Sequence, residues 1–543
     1  MPPDIETTGP QPVDAGATQH MVPMRDGVSL AIDVYLPDGD GPWPSVLVRL
    51  PYDKNGRYCW MPWIARHFTG RGYAFLPQDV RGKFRSEGET NAFMHEIDDG
   101  YDTIEWITQQ PWANGAVGMW GDSYYGFTQW TALASGHPAL RAIVPRVTVA
   151  DLFDWLGGVT PLYGAHYLAQ YWSDQRSHHW TPDWSHRPLS EMFDDAFAEI
   201  GSRSIAFDRL LAEARGQAPV DLYAAGHPFQ RARIPTLHGV GWFDNITPPH
   251  MLDYERLMAD PEAVPHQYLH AGSTDHENYR YETVPVPETD DHSVHDDAME
   301  EMLPRYLEPA LDFFDVFLCG RGDSGSVPRV RWHLGNVGWQ QSPRWPPPGA
   351  VEQALHLAAD GTLGDEPAAP GSVEWLHDPE QLVPSTITDP FALLWEYPDE
   401  GEVAARSDVV CFLGEQLAEP LTLAGRVAAH LRVASDGPSM FLHVKLVDVD
   451  PGGGSHILLY GQHVVERPDA AAPAEVYLGH TGHRVPAGHR LRLQVASSDY
   501  PLYLPHPGTD QNPWFATETR VNRQQLFTGG EPGSQLRLTV LPG

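Results

Sequence analysis

The sequence predicts two domains of different class: a mainly parallel α/β domain carrying a helical insertion, then an all-β domain. Three observations predict it. Between about residues 28 and 272, short apolar runs alternate with helical stretches, the order in which a parallel sheet covered by helices is written. From 151 to 228 that rhythm gives way to aromatic-rich helical segments. After the Gly/Ser/Pro-rich stretch GRGDSGSVP (320–328), apolar and polar residues alternate, as in antiparallel strands with one buried face. A chain of 543 residues is too long for a single core, so a division into domains is expected.

The first twenty residues, MPPDIETTGPQPVDAGATQH, have neither a basic start nor an apolar core, and are expected as a flexible tail rather than a leader. SVLVRLPY, YAFLPQDV, GAVGMWG, AIVPRV, TLHGVGWFD and HQYLHAG are the strands expected in the α/β domain, which spans 21–150 and 229–327. EIDDGYDTIEWITQQ spaces Ile97, Tyr101, Ile104 and Ile107 by three and four, which predicts an amphipathic helix ended by Pro111. The insertion covers 151–228 and includes DDAFAEIGSRSIAFDRLLAEA. The acidic run ETDDHSVHDDAMEE (288–301) reads as a solvated loop leading into the helix that contains LDFFDVFL. From 328 to 543, FLHVKLVDV, HRLRLQV and QLRLTVL, separated by turn-rich pieces such as DPGGGSH and WPPPGA, predict a sandwich or jelly roll.

Composition narrows the function. With 36 basic against 72 acidic residues, a net charge of −36 argues against nucleic acid and anionic membranes as partners, and acidic substrates are repelled at long range. Only Lys54, Lys83 and Lys445 are lysines. Cys59, Cys319 and Cys411 are odd in number and lack metal-ligand spacing, which fits a reducing compartment. No apolar run approaches bilayer length, so a soluble, cytoplasmic protein is expected. His266 and His270 lie four apart in a strand-like run, too far for one coordination sphere, and His292 and His295 sit in a hydrated stretch; no metal is expected.

The stretch VGMWGDSYYGFTQW (117–130) carries the chemistry. It reads as a buried strand that turns through Ser123 into an amphipathic helix, the setting of a nucleophile elbow. The amide of Tyr124 then points from the helix start toward a forming oxyanion. Tyr125 stands where the general G-x-S-x-G pattern has its second glycine, and Gly126 follows one residue later. A serine needs a base and the base an orienting acid, in the chain order serine, acid, histidine for this setting. Asp244, ending TLHGVGWFD, and His276, just beyond HQYLHAG, supply them in that order.

These motifs, with MRDGVSLAIDVYLP, RLPYDK, RGYAFLPQDVRGKFRSEG, GWFDN and HRLRLQVASSDYP, resemble the cocaine esterase / α-amino-acid ester hydrolase / X-prolyl dipeptidyl aminopeptidase family from residue 21 onward. The resemblance implies an α/β-hydrolase domain with an inserted helical cap and a C-terminal jelly roll. It also implies Ser123 as nucleophile, Asp244 as orienting acid, His276 as general base and Tyr52 as the second oxyanion donor, with no cofactor. The family writes GPW-x-H before its histidine, whereas here Gly272, Ser273, Thr274 and Asp275 precede His276; His270 is the runner-up. Asp79, Arg81 and Gly82 in QDVRG read as a buried pair bracing a loop.

The cap carries Trp155, Tyr163, Tyr167, Tyr171, Trp172, Trp180 and Trp184. Some should line the acyl pocket, with Trp155 and Trp172 as substrate-binding candidates, favouring a bulky apolar or aromatic acyl group. Family members that act on α-amino acyl groups hold the ammonium with carboxylates; Asp151, Asp154, Asp174 or the 290–301 loop are candidates for that role. The expected activity is hydrolysis of a small-molecule carboxylic ester or amide through an acyl-enzyme. The alternatives are an aminopeptidase or α-amino-acid ester hydrolase, transfer to an acceptor other than water, and a carbohydrate-binding protein with a decayed hydrolase domain. Whether the chain forms a homo-oligomer stays open.

Overall fold

The computed structural model describes residues 3–151, 159–217, 221–278, 284–530 and 533–542. Its first sheet has ten strands: β1 (Thr18–Pro23), β2 (Ser29–Val34), β3 (Trp43–Leu50), β4 (Ala74–Asp79), β5 (Ala113–Asp122), β6 (Leu140–Arg146), β7 (Thr236–Gly241), β8 (Gln267–Gly272), β9 (Val330–Leu334) and β10 (Gly338–Ser342), in spatial order 10-9-8-7-6-5-3-4-2-1. Strands β4, β3 and β5 to β9 run parallel, and antiparallel strands close both edges. All six strands expected from the apolar runs form.

Both faces of this sheet are covered, and the side-chain period of two divides the core accordingly. Val46, Val48, Phe75, Trp120 and Val144 pack on one face with Phe313 and Phe314. Their neighbours Leu47, Leu76, Met119 and Ile143 pack on the other with Ile104, Ile107 and Trp130. Among the described residues before 328, the α-helices are α1 (Met61–Gly70), α2 (Glu96–Thr108), α3 (Ser123–Ser135), α4 (Leu162–Tyr171), α5 (Met192–Ile200), α6 (Ile205–Ala214), α7 (Thr247–Met258) and α8 (Asp296–Phe317). Helices α4 to α6 belong to the insertion, whose aromatic residues join the larger core. Helix α8 starts at Asp296, inside the run expected as a loop. No helix among the described residues is long and apolar enough to cross a membrane.

The second sheet has eleven strands, antiparallel apart from one short parallel pairing, around a core that includes Val427, Leu431, Leu442, Val444, Leu493 and Leu538. The chain is thus an α/β-hydrolase domain with a helical cap, followed by an all-β jelly roll.

Two boundaries differ from expectation. The segment expected as a flexible tail is tied down within its described residues: Glu6–Thr8 pairs antiparallel with Ser177–His179 of the cap, and the Gln11 amide donates to Asp53 Oδ2 at 2.8 Å. Strands β9 and β10, within the stretch assigned to the jelly roll from 328, pair instead with β8 and with each other. Their alternating pattern resembled the later strands, but an open β8 edge needs a partner, and Val330, Trp332 and Leu334 bury against the α/β side.

The three lysines are all internal. Lys54 Nζ meets Asp79 Oδ2 at 2.8 Å, Lys445 Nζ meets Glu400 and Asp499 at 3.0 and 3.1 Å, and Lys83 Nζ donates to the carbonyls of Tyr171, Asp174 and Arg176. Asp79 and Arg81 do brace loops, but through separate partners rather than as a pair: Arg81 Nε donates to Asp99 at 2.9 Å.

Candidate active site

Ser123 sits at φ +51° between β5 and α3, a conformation costly for a residue with a Cβ. Its surroundings fix that corner. A Cβ on Gly121, itself at φ +141°, would lie 2.0 Å from the Tyr125 ring; one on Gly126 would lie 2.7 Å from Thr148 Cβ and 2.9 Å from the Arg146 carbonyl. The displaced glycine of the motif is thereby explained. Tyr125 packs over Gly121, and at Gly126 the helix comes against the Arg146 carbonyl of β6 with no room for a side chain. Thr148 Oγ1 donates to the Ser123 carbonyl at 2.7 Å. Asp122 pairs with Arg146 Nε at 2.8 Å and accepts from Tyr306 Oη at 2.7 Å. Helix α3 is not amphipathic as expected: every residue from Tyr124 to Leu133 is buried.

His276 Nδ1 lies 2.7 Å from Asp244 Oδ2, while Asp244 Oδ1 accepts from the Ile246 amide at 2.7 Å. Burial works against protonating His276, but the charge and hydrogen bond of Asp244, helped by Glu277 and Asp122, outweigh it and raise its pKa to about 9. Asp275 faces away from the imidazole, accepting from the amides of Glu277 at 2.9 Å, Asn278 at 2.5 Å and Leu394 at 2.7 Å. The runner-up His270 borders a different cavity, its ring 4.8 Å from that of Trp339, and burial with Arg331 and Arg146 lowers its pKa to about 3.

Ser123, His276 and Tyr52 open into one cavity of about 640 Å³. Tyr52 Oη is 3.1 Å from Tyr167 Oη, and burial holds its pKa well above the ordinary phenol value, so it remains a donor. The Tyr124 phenol donates to Glu96 Oε1 at 2.8 Å; its amide lies in the first turn of α3, where the helix offers it no carbonyl of its own.

Of the cap aromatics, Tyr163, Tyr167, Tyr171, Trp180 and Trp184 line the cavity. Trp172 does not: it is wholly buried, its ring stacked 5.2 Å from Tyr124. Trp155 and Asp154 lie outside the described residues. Neither Asp151 nor Asp174 lines the cavity; Asp151 pairs with His227 and Arg256, and Asp174 with Arg176 and His178. Asp296, midway along the 290–301 candidate, pairs with Arg57, and no residue of that stretch lines the cavity.

Two contributors escaped the sequence reading. Glu277, half-buried beside the base, lines the cavity within 3.3 Å of Tyr58 Oη, and desolvation pushes its pKa up to about 7. Residues 387–391 of the jelly roll form another wall. There the Phe391 carbonyl accepts from the amides of His276 and Glu277 at 3.0 and 3.1 Å, and its ring lies 5.0 Å from the imidazole. Glu277 was visible as a neighbour of His276, but not its orientation; nothing local announces Phe391.

A strained serine on a strand-to-helix corner and a carboxylate-bound histidine sharing one cavity are the parts of a serine hydrolase of the α/β-hydrolase fold. Residues 26–278 match the family model described as X-Pro dipeptidyl-peptidase (S15 family), and residues 325–537 that of the X-Pro dipeptidyl-peptidase C-terminal non-catalytic domain. The chain is 31% identical to a cocaine esterase of Rhodococcus sp. (strain MB1 Bresler), over 90% of this chain and 91% of that protein. Among solved structures, an α-amino acid ester hydrolase superimposes with a TM-score of 0.81 at 25% identity, covering 98% of each chain. An aminopeptidase from a marine sediment Thaumarchaeota archaeon gives 0.81 and 25%, over 97% of this chain and 96% of that one. The chain belongs to the cocaine esterase / α-amino-acid ester hydrolase / X-Pro dipeptidyl-peptidase family.

Proposed function

We propose that this serine hydrolase cleaves carboxylic esters or amides of bulky apolar or aromatic acids through an acyl-enzyme. One observation carries the reading: Ser123, Tyr52 and the Asp244-bound His276 share a single cavity walled largely by aromatic side chains. His276 Nε2 takes the proton of Ser123 as Oγ attacks the carbonyl carbon, and Asp244 holds the imidazolium that forms. The alkoxide of the tetrahedral adduct accepts from the Tyr52 phenol and the Tyr124 amide, which are set where charge develops. His276 then protonates the leaving group, and water, deprotonated by the same base, releases the acid.

Ser123→Ala should lower kcat on a p-nitrophenyl ester about 10⁶-fold; unchanged turnover would remove Ser123 from the reaction. Acyl preference is tested with p-nitrophenyl phenylacetate against the acetate, the larger acyl group giving the higher kcat/KM.

A second reading, an acyl donor bearing an α-ammonium, is favoured by Glu277 and Asp389, whose carboxyls border the same cavity. The α-amino acid ester hydrolase and the aminopeptidase it superimposes on point the same way. Phenylglycine methyl ester and its des-amino analogue separate the two readings; equal rates exclude an ammonium subsite.

A further inference from the structure

The cap wall of the catalytic cavity holds a cation that ester cleavage does not use. Arg209 projects from α6 and lines the cavity, the only lysine or arginine among the described residues that do. Its Nη2 donates to Asn91 Oδ1 at 2.7 Å, and among the described residues it forms no ion pair. Burial lowers its pKa, and Glu89 is near enough to oppose that shift without pairing. A half-buried guanidinium without a counter-ion is costly to keep. Its planar fork of N–H donors also fits a carboxylate bidentately.

A second polar group on the cap side lacks a partner. His166 on α4, the helix packed against α6, borders the same cavity, and its buried Nε2 makes no hydrogen bond. Burial lowers its pKa to about 3, so the ring is neutral and has one N–H to offer. The carboxylates on the cavity wall belong to the catalytic residues' surroundings: Asp122 precedes Ser123 and pairs with Arg146, and Glu277 and Asp389 feel the charge of His276.

We infer that the cavity takes substrates bearing a carboxylate remote from the scissile carbonyl, held by Arg209 with His166 as a second donor. This rests on the reading of Ser123 as nucleophile. The remote carboxylate can belong to the acyl group or to the leaving group, and the two are separable. One arm compares p-nitrophenyl hydrogen glutarate with its methyl ester; the other compares 4-acetoxybenzoate with methyl 4-acetoxybenzoate. Because a net charge of −36 repels anions at long range, both are run near 0.15 M ionic strength, where the screening length is about 8 Å.

In one arm the wild-type enzyme should prefer the acid over its neutral ester by at least about 10-fold in kcat/KM. Arg209→Met should erase that preference while leaving the neutral ester within about two-fold, which also shows that the variant is folded. Arg209→Lys, keeping charge without the fork, should fall between. No preference for the acid in either arm overturns the proposal, as does an Arg209→Met variant that keeps it. Neutral-ester turnover that survives Ser123→Ala is a different result and overturns the nucleophile instead.

Discussion

The corner that carries Ser123 and the loop that carries His276 are built by opposite means. The corner is made from nearby chain: a left-handed serine, a glycine beneath Tyr125, and a glycine against Thr148, all within residues 121–148. The loop is held from afar, its amides bonded to the Phe391 carbonyl and its Asp275 carboxylate bonded to the Leu394 amide, 119 positions away. The nucleophile therefore depends on backbone strain fixed locally, whereas the base depends on how the jelly roll docks.

The comparison can be broken first at the corner. Gly121→Ala places a methyl into the Tyr125 ring at a φ that alanine avoids, and should lower kcat/KM about 100-fold through displaced geometry. Steady-state assay of the folded variant checks this. At the loop, Asp275→Ala leaves the amides of Asn278 and Leu394 without their acceptor, each worth about 1–3 kcal/mol, and takes from the Glu277 amide one of its two, the Phe391 carbonyl remaining. It should lower the melting temperature and reduce kcat about 10-fold, with the Ser123 corner still labelled by a fluorophosphonate.

The smallest effect sharpens the contrast through pH. The base must be neutral to accept the serine proton, so with a pKa near 9 activity should rise with pH up to about that value. Glu277 helps raise that pKa, so Glu277→Gln should lower it and move the rising limb to more acid pH by less than about one unit. A kcat/KM profile measures the shift; a limb moved toward alkaline pH would contradict the assigned field.

Legibility follows the same division. The Ser123 corner could be read because strand, turn and helix are consecutive and the glycines mark the tight places. Asp244 and His276 could be read from their order after later strands. The contributions of Phe391 and Glu277 could not, because they depend on docking and on which way a loop side chain faces. Trp172 was misjudged for a related reason: an aromatic in a cap serves the core or the pocket equally well by composition, and only packing on Tyr124 decides. Strands β9 and β10 carried the alternating pattern of the jelly roll, and pairing partners, not pattern, assigned them to the first sheet.

The internal placement of Lys54, Lys83 and Lys445 has a practical consequence. A folded molecule offers acylating or reductively alkylating reagents no exposed lysine side chain. Dye coupled at lysine therefore counts molecules that have opened, which makes label mapped to these three side chains a direct gauge of unfolding for this enzyme.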